Sequence, residues 1–100
     1  MKKKGNGNRV VSGVAWYRRE QWTLLKSVSI DADKLEYSYD EWLEYAEKAF
    51  RDMVKEINVM KIDVDVEELI EWCQKGGIPV DSSARARFVS IKVLESQKKS

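Results

Sequence analysis

Residues 38–65, SYDEWLEYAEKAFRDMVKEINVMKIDVD, change their period partway along, and that change decides the fold. In the first part Tyr39, Trp42, Leu43, Ala46, Ala49, Phe50, Met53, Val54 and Ile57 recur at spacings of three and four. At roughly 100° per residue they fill one arc of about 120°, the stripe of a helix with one buried face. Ser38 with Glu41 three residues on is a capping box, which satisfies backbone N–H groups that a helix start leaves unpaired. The pattern predicts a helix over 39–57. From Met60 the apolar residues alternate instead: Met60, Ile62, Val64 and Val66 are interleaved with Lys61, Asp63 and Asp65. A period of two is that of a half-buried strand, placed over 59–64.

Working outward, Asp65 with Glu68 repeats the cap spacing and opens a short helix over 66–75, which buries Leu69, Ile70, Cys73 and part of Trp72. Gly76-Gly77 ends it, because glycine takes up the left-handed conformation that follows a helix. Ile78-Pro79-Val80 is extended, and Asp81 caps a last helix over 82–96. In that helix Ala84, Phe88, Ile91 and Leu94 lie on one side and Ala86, Val89 and Val93 nearly opposite. Two stripes predict contact on two sides, with the domain core on one and a second subunit on the other. Upstream, residues 10–17, VVSGVAWY, are rich in β-branched and aromatic side chains and read as a strand. Residues 18–28 read as a helix carrying Trp22, Leu24, Leu25 and Val28, and 30–36 as an irregular connection.

The expected fold is therefore α+β and helix-dominated, with about four helices and a small two-stranded sheet. An all-α bundle is the alternative, should both strands be extended linkers. Residues 1–9 read as a disordered basic tail and 97–100 as a disordered tail, around a single globular domain over 10–96. A two-stranded sheet leaves its edges open to strand addition, which, with the two-sided helix, points to a homodimer.

The net charge of +1 hides a segregation: residues 1–27 carry +6, residues 28–74 carry −9 and residues 75–100 carry +4. Basic ends and an acidic middle suit an arrangement in which the ends of one subunit meet the middle of another. No apolar run approaches the roughly 20 residues that cross a bilayer, so no membrane partner is expected. The basic start is not followed by an apolar signal segment, and Cys73 has no second cysteine to pair with. A cytoplasmic location is the reading.

There is no histidine, which excludes histidine-based triads and histidine-containing zinc sites. Cys73 aligns with Leu69 and Ile70 and reads as inert packing. Asp63, Asp65, Glu67 and Glu68 could offer oxygens to Mg²⁺, but Asp65 is committed as a helix cap. No catalytic residue, metal or cofactor is assigned. The candidate binding residues are Trp16, Tyr17, Arg18, Arg19 and Trp22, with Arg85 and Arg87. Aromatic rings interleaved with guanidinium groups can stack on bases and hold phosphate, or can pack a core from which the arginines reach water.

The order Ala15-Trp16-Tyr17-Arg18-Arg19-Glu20-Gln21-Trp22, Tyr39-Asp40-Glu41-Trp42-Leu43, Glu71-Trp72-Cys73 and Ala84-Arg85-Ala86-Arg87-Phe88-Val89 resembles a group of short, uncharacterised prokaryotic proteins over roughly residues 14–94. That resemblance implies a compact intracellular domain and carries over no functional residue. The expected function is a non-catalytic protein-interaction or regulatory module. A nucleic-acid-binding accessory protein using the basic ends is the alternative, and a divalent-metal-dependent enzyme comes last.

Overall fold

The structure is a computed structural model that describes residues 10–98. Strand β1 (Ser12–Tyr17) is followed by a 3₁₀ turn (Arg19–Gln21), helix α1 (Trp22–Val28) and helix α2 (Tyr39–Met53). Strand β2 (Val59–Val64), helix α3 (Val66–Gly76) and helix α4 (Ser82–Lys98) complete the chain. The fold is α+β, four helices around a two-stranded sheet. The strands pair in parallel, in register from Ser12 with Val59 to Tyr17 with Val64. A parallel pair requires a crossover longer than a hairpin, and α1 and α2 make it. No helix among the described residues is long and apolar enough to cross a membrane.

The caps form where the sequence places them. Ser38 Oγ accepts from the Glu41 N–H at 3.1 Å, Asp65 Oδ1 from the Glu67 N–H at 3.0 Å and Asp81 Oδ1 from the Ala84 N–H at 2.9 Å. Gly77, at φ 65°, closes α3. Several boundaries differ from the sequence reading, and α3 runs one residue further, to Gly76. The first strand starts at Ser12 rather than at residue 10. Its following helix begins as the 3₁₀ turn. Helix α2 stops at Met53, and bonds from Lys55 N–H to Asp52 O and from Glu56 N–H to Met53 O tighten the chain for its turn into β2. Helix α4 runs through residues 97 and 98, which correct the expected C-terminal tail. The tail expected over 1–9, and residues 99 and 100, lie outside the described residues.

One face of the sheet, with Gly13, Ala15 and Tyr17 on β1 and Ile62 and Val64 on β2, lies under α4. A Cβ built on Gly13 would stand 2.5 Å from Val93 Cγ2 and 2.7 Å from Val89 Cγ1, so the missing side chain is what lets α4 seat against β1. The opposite face, with Val14 and Trp16, meets α2: the Trp16 ring lies 5.4 Å from Trp42 and 6.1 Å from Phe50. Leu25, Val64, Val66, Leu69 and Cys73 are the most deeply buried side chains.

The two apolar stripes of α4 are divided by packing within the chain differently from the sequence reading. The buried residues are Ala84, Arg85, Phe88, Val89 and Val93, whereas Ala86, Ile91 and Leu94 are exposed. Phe88 turns to α3, its ring 5.7 Å from Trp72, while Val89 and Val93 turn to the sheet. The helix is wedged between two elements of its own domain, which accounts for Phe88, Val89 and Val93 and leaves Ile91 and Leu94 exposed.

Candidate interaction surface

The aromatic residues singled out by sequence form one cluster. Tyr17 and Trp22 are buried and Trp16 is half-buried; their rings, with those of Tyr39 and Trp42, lie at centroid separations of 5.3 to 6.1 Å. Trp22 Nε1 is the buried side-chain polar atom without a partner among the described residues. Burial pushes the Tyr17 phenol above its usual range, with Arg85 opposing.

Each of the four arginines is engaged separately, and only Arg19 stands over a ring of this cluster. Arg18 donates from Nε and Nη2 to the two carboxylate oxygens of Asp63, at 3.1 and 2.6 Å. Arg19 donates to Asp40 at 2.8 Å and stands over the Tyr39 ring. Arg85 is buried and forks onto Asp31 at 2.9 and 2.8 Å, with a third bond to Ser29 Oγ. Arg87 lies over the Trp72 ring. The candidate metal carboxylates are occupied as well. Hydrogen bonds from Arg18 hold Asp63 below its ordinary range, and a bond from Gln21 does the same for Asp65. Among the described residues no three cysteine or acidic side chains come together as metal ligands would. Cys73 is buried, and desolvation pushes its thiol upward, away from the reactive thiolate.

What stands open is the free edge of β1. The Ser12 N–H donates to Asn58 O at 3.0 Å, so the main-chain groups of Ser12, Val14 and Trp16 face β2. Those of Val11, Gly13, Ala15 and Tyr17 therefore face away, where no third strand lies among the described residues. The Tyr17 carbonyl accepts from Tyr39 Oη at 2.9 Å, which ends the open edge there. Two depressions border it. Toward its start one is walled by Ser90, Val93 and Leu94 of α4 beside residues 10–13. Toward its end the other is walled by Leu35 and, on α2, Trp42 and Tyr45 beside Val14, Ala15 and Tyr17. Neither is lined by a residue of β2. A third, at the foot of the strand, contains Val10, Val54 and Ile57.

Exposed large apolar side chains gather here. Val10, Tyr45, Val54, Ile57 and Leu94 border these depressions, whereas Ile30, Tyr37 and Ile91 lie elsewhere. Sequence reasoning flagged open sheet edges but not these flanking residues, since Tyr45 sits on the polar arc of α2 and Val54 and Ile57 belong to its buried stripe by period. The available signal was the absence of charge: β1 has no ionisable group except the buried Tyr17, where edge strands commonly carry lysine or another charge.

Comparison with protein-family models, with curated proteins and with solved structures gives no match, so the resemblance stated from sequence stays an expectation.

Proposed function

We propose that this domain is a non-catalytic protein-interaction or regulatory module whose contact surface is the outer edge of β1 with its flanking apolar walls. The observation that carries this reading is the collection of exposed Val10, Tyr45, Val54, Ile57 and Leu94 around a strand edge that no other strand among the described residues pairs with. Exposed apolar residues scattered singly are ordinary on a soluble surface; gathered beside open hydrogen-bonding groups they favour an extended polypeptide. The engagement of Arg18, Arg19 and Arg85 with carboxylates of their own chain supports a protein partner over a polyanion.

A photo-crosslinking amino acid placed at Leu94 tests this in the cells that make the protein, with Lys75 on α3 as the control position. The expected result is a discrete protein adduct from position 94 and none from 75. No adduct at 94, or equal labelling at both, overturns the proposal.

A further inference from the structure

Resting on that reading, we infer that the occupant of the β1 edge is an extended segment of another protein that carries a lysine or arginine, whose cationic end enters the depression at the end of β1 beside Glu36. The two depressions along the strand differ in charge. Among the described residues, the one against α4, beside residues 10–13, is lined without a Lys, Arg, Asp or Glu. The one against α2 has one such residue in its wall, Glu36, set among Val14, Leu35, Tyr45 and other largely apolar side chains. Glu36 is half-buried and makes no ion pair or side-chain hydrogen bond among the described residues. A carboxylate drawn partly out of water without a partner is costly, and a cation brought to it recovers that cost. The nearby cations of the chain itself are engaged or stand outside. Arg18 holds Asp63, Arg19 holds Asp40, Lys48 holds Asp52 and Lys26 donates to the Tyr37 carbonyl, while Lys34 does not line the depression.

The pleat of an added strand turns this charge into a rule for its side chains. A strand paired along Val11, Gly13 and Ala15 sends alternate side chains to opposite faces of the sheet. On the α4 face they meet Val93 and Leu94, so apolar groups fit there. On the α2 face, at the Ala15 end, the added side chain enters between Leu35 and Tyr45 and reaches Glu36. A lysine or arginine suits all three neighbours. Its methylene stem lies against Leu35, and its charge meets the Glu36 carboxylate beside the Tyr45 ring, which is 65% exposed. An aspartate or glutamate at that position faces like charge, and a wholly apolar segment leaves Glu36 buried further and still unpaired.

The test uses the full chain and four ten-residue peptides that alternate valine and threonine, with one central threonine replaced by lysine, arginine, norleucine or glutamate. Fluorescence anisotropy is expected to rank the lysine and arginine peptides about tenfold tighter than norleucine, with glutamate the weakest. Amide exchange at Gly13 and Ala15 is expected to slow in the lysine complex, as main-chain pairing at the outer edge requires. Glu36→Gln is expected to bring lysine and norleucine within about twofold of each other, and Glu36→Lys to favour glutamate. Glu47→Gln, on the polar arc of α2, is expected to change nothing. The ranking of peptides by the unaltered protein needs no variant, so it stands if one of these fails to fold. Equal binding of all four peptides, or a lysine preference that survives Glu36→Gln, overturns the cationic occupant, and slowed exchange at Gly13 and Ala15 then leaves the interaction module standing. Binding without slowed exchange overturns the placement on β1. With no peptide bound at millimolar concentration the inference falls, and the adduct at position 94 alone decides whether the module falls with it.

Discussion

β1 and β2 run side by side over six paired positions, yet they are built from different residues. β2 alternates Met60, Ile62 and Val64 with Lys61 and Asp63, so its polar side carries charge. β1 has no Lys, Arg, Asp or Glu over residues 10–17, and a helix lies over each of its faces. The ion pairs nearby differ in the same sense. Beside Tyr17 at the end of β1, Arg85 and Asp31 are paired with side chains only 10% and 13% exposed. At Asp63 of β2 the partner is Arg18, with side chains 37% and 67% exposed. β2 is thus finished as an edge strand, with charged side chains that discourage further pairing. β1 is finished as a central strand, although among the described residues only one neighbour sits beside it. That mismatch is the physical motive for placing a second chain there.

The largest way to disturb the comparison is to remove the buried charge on the β1 side. Arg85→Met leaves Asp31 without its fork, and losing one partner of a buried pair costs about 3–5 kcal/mol. Adding Asp31→Asn removes the stranded charge while an amide oxygen can still accept from the Ser82 N–H, which Asp31 Oδ2 binds at 3.0 Å. The double variant is expected to recover most of the loss in urea denaturation. The pH dependence follows from the same group. Hydrogen bonds from Arg85 hold the Asp31 carboxyl below its ordinary range, outweighing the opposing cost of burial. A depressed folded-state value means the stabilisation is complete above the unfolded-state value and is lost as pH falls through the folded one. Acid melting in low and high salt separates the two pairs. Loss tied to Asp31 persists in salt, whereas the exposed Asp63–Arg18 pair is screened.

Next in size is Gly13→Ala. Its new methyl meets Val93 and Val89, both buried, and overpacking of this kind costs about 1–3 kcal/mol. Val93→Ala in the same chain relieves the nearer clash, so the double variant should cost less than the sum of the singles, measured by thermal unfolding of all three.

Much of this architecture was legible in the sequence because it rests on local rules. The switch of period between Phe50 and Ile62, the caps at Ser38, Asp65 and Asp81, and the glycine stop at Gly77 are each written within a few residues. What was not legible depends on contacts distant along the chain. Arg85 looks like a surface cation by composition, and only the approach of Asp31, fifty-four positions earlier, makes it a buried one. The two stripes of α4 are real, but whether the second serves a subunit or the sheet depends on where Gly13 lies. The candidate surface was half visible: an open edge follows from having two strands, whereas Leu94 and Tyr45 beside it follow from how α4 and α2 settle.

The smallest expected change in stability comes from making β2 resemble β1. Lys61 Nζ stands 4.2 Å from the Trp16 ring centroid and 4.9 Å from that of Phe50, contacts worth about 0.5–1 kcal/mol at an exposed site. Lys61→Val gives this up but gains β propensity, so the melting temperature should move little. Assembly should respond far more. With Asp63→Val added, the outer edge of β2 loses both charges and can pair with the same edge of another copy, so that chains with contacts at both sheet edges grow without closing. Light scattering of the double variant should then show species that grow with concentration beyond a dimer, whereas Asp63→Asn, which keeps a polar side chain at that edge, should not. If the valine variant stays at the mass of the parent protein, the charges on β2 do not guard its edge, and the contrast between the strands lies in their packing alone.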